Sequence, residues 1–369
     1  MLRKLHALII KELIAVWQDK RSRMALITPP IIQFFVFTFA ATLDVHNVSL
    51  GILNRDEGQY SREFIYRLSG SPEFTQIIYF DSDQELKEAV DAEKVLAAIQ
   101  IDANFSRKIL SDETGEVLLI ADGRKSNASQ IAGGYISNIA QAYNAFLAKR
   151  KGMPLPLSEL KPRNWYNANL NYTWFTITGL IGTLSMLTSL SVTALSISRE
   201  KEMGTFEQLL VSPLDHRMIL LGKAIPALMI GVVEGSVMLF AGFLFLDLPI
   251  RGSLLMFYPS MAIFVFAIVG IGLFISSLSQ TQQQSALGVF LCVSPLVITS
   301  GFATPVENMT QGLQILATLN PLKYFLIIVR GICLKDISAA TVFHNTWPML
   351  LIALGTLGTA SWFFKRKIG

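Results

Sequence analysis

Charged side chains are dense in one stretch, residues 198–223, which joins two long apolar segments. Its first half mixes acids and bases: Arg199, Glu200, Lys201, Glu202 and Glu207. Gly204 interrupts this run, Thr205 can cap a short helix over Phe206–Val211, and Pro213 ends that helix. The chemistry available here is ion pairing rather than catalysis. Such a helix can dock in the groove of a partner protein, although the same spacing also fits an ordinary turn at a membrane surface.

Glu234 is the single acidic or basic residue within the long apolar segments. A carboxylate there is costly and faces either a cavity or a polar partner. Glu234 therefore either contacts a transported substrate or packs by hydrogen bonds inside a helix bundle. These segments contain no histidine or aspartate, which excludes an intramembrane aspartyl dyad, a serine–histidine pair or a histidine metal site there.

The remaining inventory predicts no cofactor. Two cysteines, Cys292 and Cys333, cannot build a thiolate metal site or a disulfide framework. The chain has no G-x-x-x-x-G-K-[ST] loop to hold a nucleotide phosphate, so energy for any transport has to come from another subunit. Outside residues 44–172 the chain has 17 basic and 10 acidic residues, a net charge of +7, which suits an anionic membrane surface, and no nucleic acid partner is needed to explain it.

Long apolar runs dominate the sequence, which is 51% hydrophobic and only 16% charged over 369 residues. About 20 apolar residues of helix cross a bilayer. Six stretches predict spans: 24–43, 174–197, 224–246, 254–278, 285–303 and 347–364. The fold class is therefore an α-helical polytopic membrane protein. Lysine and arginine cluster at 3–23, 199–223 and 365–367, which predicts that these flanks and both termini are cytoplasmic.

Two segments outside the spans have structure of their own. Residues 1–23 repeat apolar positions at helical spacing and end in a basic group, which predicts an amphipathic helix lying in the membrane interface. Residues 44–172 are long enough for an independent extracytoplasmic domain between the first and second spans. Strands are predicted at 48–53, 76–80, 95–101 and 116–121, and helices at 61–68, 83–92 and 128–150, an α/β layer arrangement.

Several motifs together resemble one family. They are REKEMGTFEQLLVSPL, LLGKAIPAL, DGRKSNASQIAGGY, RNWYNANLNYTWF, SSLSQTQQQ, SGFATPVENM and LNPLKYFLIIVRGICLKD. They occur along the chain in the order that the family has and cover nearly all of it, and together they resemble permease subunits of the second type of ATP-binding-cassette exporters, in the drug-exporter branch with a large periplasmic domain. One departure is Thr310 and Gly312, where the family usually has a proline and an aromatic residue.

The resemblance implies a transport subunit without an ATP site of its own. It implies that residues 198–223 form a coupling loop against an ATP-binding-cassette ATPase, which binds the ATP. The coupling positions carried over from the family motif are Arg199, Glu200, Glu202, Gly204, Thr205, Glu207, Gln208 and Leu209. It further implies a re-entrant segment at 305–336 on the outer side and pairing with a second permease copy or paralogue. A periplasmic adaptor is another implied partner, the bacterial inner membrane the implied location, and amphiphilic small molecules such as drugs the implied substrates.

Two other functions compete with export of small molecules. A membrane-anchored sensor or scaffold could use residues 44–172 to bind a ligand, but it would need neither six spans nor a charged loop. An exporter of lipid-linked polymer would use the same membrane architecture, but such permeases generally lack a domain comparable to residues 44–172.

Overall fold

The computed structural model describes residues 2–18, 20–40, 48–152, 165–167, 171–211 and 215–368. The chain separates into two compact units: Thr42–Arg163, and a helical unit formed by Met1–Ala41 with Asn164–Gly369. The elements in chain order are α1 Leu2–Gln18, α2 Lys20–Ala40, β1 Ser49–Asn54, α3 Gln59–Ser69, β2 Gln76–Tyr79, α4 Asp83–Asp91, β3 Ala97–Ile101, α5 Phe105–Leu110, β4 Val117–Ala121, α6 Ser126–Lys151, α7 Tyr172–Glu202, α8 Phe206–Val211, α9 His216–Phe245, α10 Leu254–Leu278, α11 Gln282–Thr299, α12 Gln311–Thr318, α13 Pro321–Arg330 and α14 Ala339–Ile368.

The unit Thr42–Arg163 is an α/β structure with one four-stranded sheet, in the order β2-β1-β3-β4. β1 pairs in parallel with both β2 and β3, and β4 runs antiparallel to β3 at the sheet edge. All four strands lie within two residues of their predicted positions, because short runs of alternating and β-branched residues bounded by polar turns identify strands well. The short helix α5 was not predicted. The DGRK part of the DGRKSNASQIAGGY motif is structural, since Arg124 bonds Asp122 at 2.9 Å and the Val90 carbonyl at 2.8 Å.

In the helical unit, α7 and α10 are the most buried helices and form its centre. Phe264 of α10 stacks on Phe325 of α13 with ring centroids 4.4 Å apart. Small residues let the helices approach closely. Membrane helices depend on such close packing, because the hydrophobic effect does not drive helices together in lipid. A Cβ on Gly272 would lie 2.1 Å from Thr193 Oγ1, and one on Gly231 would lie 2.1 Å from Ser189 Oγ.

Four helices in the described part of the chain are long and apolar enough to cross a membrane: Tyr172–Glu202, Met218–Phe245, Leu254–Leu278 and Ala339–Arg366. They correspond to four of the six predicted spans. The first predicted span coincides with α2, whose apolar part is the shorter Leu26–Phe39. The fifth coincides with α11, which begins with three glutamines that lower its hydropathy. A polytopic membrane protein is therefore supported, while the count of six stays a prediction.

The predicted re-entrant segment 305–336 contains a sharply bent helix pair. The bend between Gln311–Thr318 and Pro321–Lys335 is 77°. Asn320 stabilises it, because its Oδ1 accepts the Leu322 amide at 3.0 Å while its Nδ2 donates to the Leu296 carbonyl at 2.6 Å. The departure from the family pattern does not prevent a helix: Thr310 is extended and α12 begins at the next residue.

Candidate functional site

The turn that leaves α7 ends the helix with a glycine in the left-handed conformation. Gly204 has φ +69°, its amide donates to the Lys201 carbonyl at 3.1 Å, and the Thr205 amide donates to the Glu200 carbonyl at 3.0 Å. This pair of bonds is the Schellman arrangement, in which a glycine adopts the left-handed conformation at little steric cost. The predicted break at Gly204 is therefore seen in the backbone, and it directs the chain into α8.

Thr205 was predicted to cap α8, and the structure gives its hydroxyl a hydrogen bond to the end of α7. Thr205 Oγ1 donates to the Glu200 carbonyl at 3.3 Å. The hydroxyl therefore adds a second hydrogen bond to the Glu200 carbonyl at the end of α7, which already accepts the Thr205 amide. The physical reason is that the Schellman turn brings Thr205 directly over the last turn of α7.

A buried group of charges lies beside this turn, and we call it the charged cluster. Its members are Lys11, Glu12, Ser196, Glu200 and Lys223. Lys223 is completely buried, and its Nζ lies 2.9 Å from Glu200 Oε2, 3.1 Å from Glu12 Oε1 and 3.0 Å from Ser196 Oγ. Lys11 Nζ donates to Glu200 Oε1 at 2.8 Å. The charged cluster thus joins α1, α7 and α9.

Burial and charge balance explain why the charged cluster is stable. The side chains of Glu200 and Glu12 are 8% and 14% exposed, and Lys11 is 54% exposed. Two carboxylates and two ammonium groups neutralise one another, so no buried charge is left uncompensated. Burial disfavours the ammonium form of Lys11, but the Glu200 and Glu12 carboxylates outweigh this and raise the pKa of Lys11.

Apolar packing reinforces the same junction. Leu8 of α1 is 7% exposed and lies against Gly222 of α9, where an added Cβ would be 2.2 Å from Leu8 Cδ2. A glycine beside Lys223 therefore lets α1 approach α9 closely enough for the ion pairs to form. Movement of α1 away from α9 would break both the apolar contact and the ion pairs.

The two residues after Glu200 attach α7 to the connection between α10 and α11. Lys201 Nζ donates to the carbonyls of Ser277 and Ser279 at 3.1 and 2.9 Å, where α10 ends. Glu202 Oε2 accepts the backbone amide of Gln282 at 3.0 Å, at the start of α11. A cation at a helix C-terminus and an anion at a helix N-terminus both complement the helix dipole. The charges at 200–202 therefore hold helices together within the chain.

The predicted coupling residues divide into two groups in the structure. Glu200 is buried and Arg199 half-buried, and Glu202 is exposed but bonded within the chain. The other described positions are exposed: Gly204, Thr205, Glu207 and Gln208. The side chain of Leu209 lies outside the described residues. The exposed face of α8 also carries Val211, which is 85% exposed.

Phe206 fixes the base of α8. Its ring packs edge-to-face against Phe364 of α14 with centroids 6.0 Å apart, and Lys201 Nζ lies 5.7 Å from the Phe206 ring centroid. One side of this short helix is therefore attached to α7 and α14, while Glu207, Gln208 and Val211 remain available to another protein.

Sequence reasoning missed Lys11, Glu12 and Lys223. Lys223 gave one signal, because it stands among apolar residues in LLGKAIPAL at the beginning of a predicted span. A lysine at such a position needs an acidic partner. Nothing in the local sequence identifies that partner as Glu200 or Glu12.

Glu234 lies at the contact between α7 and α9, between Gly231 and Gly235. Its Oε1 accepts a hydrogen bond from Thr188 Oγ1 at 2.9 Å. Its Oε2 is buried and has no hydrogen-bond partner among the described residues. One oxygen fits the packing hypothesis, and the other fits the hypothesis of a group that receives a ligand.

Comparison with known proteins adds independent evidence. Residues 20–362 match the sequence profile of the family described as ABC-2 family transporter protein. The chain is 41% identical over 368 residues to a protein of Escherichia coli K12 named probable multidrug ABC transporter permease YbhR, with all of both chains covered. It is 29% identical over 382 residues to the inner membrane transport permease YhhJ of the same strain, covering all of this chain and 98% of YhhJ.

A third relative, probable multidrug ABC transporter permease YbhS of E. coli K12, is 25% identical over 369 residues, with 99% of this chain and 98% of YbhS covered. Full-length similarity of this kind extends over the α/β unit as well as the helical unit. The resemblance inferred from the motifs is thereby confirmed, and the chain belongs to the ABC-2 family of transporter permeases.

Proposed function

We propose that this permease exports amphiphilic small molecules outward across a bacterial inner membrane, driven by a separate ATP-binding-cassette ATPase subunit that docks on α8. In this proposal the ATPase subunit binds the ATP, and the permease needs no cofactor of its own. Membership of the family and the names of the relatives support export by a permease subunit, and the word multidrug in two of those names supports the substrate class.

The observation that carries the docking proposal is the contrast between the two sides of α8. Phe206 and the Schellman turn attach one side to the helical unit. Glu207, Gln208 and the apolar Val211 are exposed on the other. Charged and polar side chains on an exposed helix face can pair with complementary groups of a partner protein. The charged cluster links α7 to α1 and α9. A displacement of α8 by the docked ATPase would therefore move α1, α7 and α9 together.

The proposed topology has six spans, with α2 and α11 as the two shorter ones. Both termini and residues 198–223 face the cytoplasm, and the unit Thr42–Arg163 lies outside the membrane. The distribution of lysine and arginine supports this orientation. Residues 305–336 dip into the membrane from the outer side, as the 77° bend between their helices supports.

The transport pathway lies between this chain and a second permease, either an identical copy or a paralogue. Glu234 contributes to this pathway a carboxylate oxygen that has no hydrogen-bond partner in the part of the chain that the structure describes, which would favour substrates carrying a cationic group. A periplasmic adaptor attached to the unit Thr42–Arg163 would carry the substrate onward.

Charge reversal on α8 tests the docking proposal. Glu207→Lys should reduce the amount of ATPase subunit that co-purifies with the permease by about tenfold, because like-charge contact at an interface costs at least the ~1.4 kcal/mol that a tenfold change represents. ATP hydrolysis stimulated by substrate should fall in parallel. The matched control is Glu307→Lys, which reverses another exposed glutamate in the predicted outer segment. Equal ATPase recovery with the two variants would exclude α8 as the docking site.

A further inference from the structure

The unit Thr42–Arg163 has an open cavity of about 540 Å³. It lies between α5, the connection 111–116, β4 and one face of α6. Its volume is within the range of sites that hold small organic ligands. Neither the family membership nor the docking proposal assigns any role to it.

The cavity exists because smaller side chains stand between large ones along the face of α6 that lines it. Ile136, Tyr143 and Leu147 of this face belong to the hydrophobic core and also form part of the cavity wall. Smaller residues line the cavity between them at successive turns of α6: Gly133, Ser137, Ala140, Asn144 and Ala148. Leucine at such positions would close the space. The opposite wall depends on Gly115, where an added Cβ would lie 2.9 Å from the Phe105 ring.

The inner wall of the cavity is aromatic. Phe64, Phe105 and Tyr143 line it, and each is at most 4% exposed. The Tyr143 hydroxyl is already committed, because it donates to the Tyr60 carbonyl at 2.9 Å. The surface offered to a ligand is therefore apolar with aromatic character, which suits a hydrophobic body. The Arg67 guanidinium already lies 5.4 Å from the centroid of the Tyr143 ring, so Phe64 and Phe105 are the rings left to attract a ligand cation through their quadrupoles.

The mouth of the cavity has a negative balance. Lys151 is neutralised by Asp112, with Nζ 2.6 Å from Asp112 Oδ1, and it also donates to the Ile109 carbonyl. Glu113 lines the same mouth, and among the described residues no ion pair or side-chain hydrogen bond involves its carboxylate. One negative charge thus remains uncompensated above the aromatic wall.

We propose that this cavity binds lipophilic monovalent cations, with the apolar body against Phe64 and Phe105 and the positive centre facing Glu113. The inference rests on the proposed function only in placing the unit outside the membrane. It gives the permease a binding site for amphiphilic cations separate from any pathway through the helices.

Protection of an introduced thiol tests for the site in the full-length permease. Ser137→Cys lines the cavity, and Asn138→Cys is an exposed neighbour on α6 that does not. Both are made in a background with Cys292 and Cys333 replaced by alanine. Tetraphenylphosphonium should slow maleimide modification of Ser137→Cys and leave that of Asn138→Cys unchanged. Absence of protection, or equal protection of both thiols, would overturn the site.

Ligand charge is tested with tetraphenylborate, an anion of the same shape, which should protect Ser137→Cys far less. Glu113→Gln should weaken protection by tetraphenylphosphonium about fivefold, the effect of one charge about 4 Å away in water. The matched control is Glu116→Gln, because Glu116 pairs with Lys108 and does not line the cavity. Equal protection by the two ions, or equal effects of the two glutamine variants, would refute the choice of cations.

Both tests are independent of transport. If Glu207→Lys fails to alter ATPase recovery but Ser137→Cys is still protected, the docking proposal is wrong and the cavity site stands. The reverse pattern would refute the cavity site and leave the docking proposal intact.

Discussion

Replacing Lys223 by methionine should release α1 from α9. Methionine fills a similar volume without the charge, so the variant leaves Glu12 and Glu200 to share Lys11 alone. Removing one partner of a buried ion pair lowers the stability of the folded protein by roughly 3–5 kcal/mol. Because Lys11 still lies 2.8 Å from Glu200 Oε1, we expect the lower end of that range, about 3 kcal/mol.

The same reasoning gives a smaller effect for Lys11. Its side chain is 54% exposed, so water replaces most of the electrostatic stabilisation that its ion pairs provide. An exposed pair contributes about 1 kcal/mol or less. The double variant Lys223→Met/Glu200→Gln provides a further comparison. It again leaves one carboxylate for one ammonium group, so it should recover most of the stability that Lys223→Met loses.

Local opening of α1 can be measured at Leu8, which packs on Gly222. A thiol at Leu8→Cys, in a chain without the two native cysteines, is modified only when α1 moves away. Its modification rate should rise about 100-fold in Lys223→Met and about fivefold in Lys11→Met, from the two energies above. The exposed Lys365→Met should change nothing. Equal rates in the Lys223 and Lys11 variants would refute the argument from burial.

Two further predictions concern the turn after α7 and the carboxylate in α9. Gly204→Ala forces a side chain into a left-handed conformation at a cost of about 1 kcal/mol, so both the melting temperature and the recovery of the ATPase subunit should fall. The control Gly312→Ala places a Cβ in open space within a helix and should lower neither quantity. Equal losses in the two variants would contradict the argument. Glu234→Gln keeps a hydrogen-bond acceptor for Thr188, so the amount of permease in the membrane should be unchanged while transport of cationic substrates falls. A reduced amount of permease, with normal transport by the protein that remains, would assign Glu234 to packing alone.

Local patterns in the sequence were enough to predict many elements. The strands β1 to β4 and the helices α3, α4 and α6 follow from residue types within a few positions of each other. The break at Gly204 was equally readable, because glycine is the residue that a left-handed helix end favours. In all these cases the determining interactions are short in range along the chain.

The sequence predicted the membrane spans less completely, because the length of an apolar segment does not show which contacts its helix makes in the bundle. The predicted re-entrant segment shows how partners outside an element shape it. Asn320 fixes the start of α13 partly through a bond to Leu296, a residue of α11. The direction of the chain at that bend depends on this contact as well as on the apolar content of the segment.

The sequence by itself determined the membrane character of the protein, the α/β nature of the unit Thr42–Arg163, the family and the short helix after Gly204. Only the tertiary structure decided that Glu200 faces Lys11 and Lys223, or that small residues on α6 leave a cavity beneath Glu113. The physical reason is distance along the chain: Lys11 and Glu200 are 189 positions apart, and Glu12 and Lys223 are 211. An ion pair needs its two groups within about 4 Å, and packing of the helices is what brings residues so far apart in sequence to that separation.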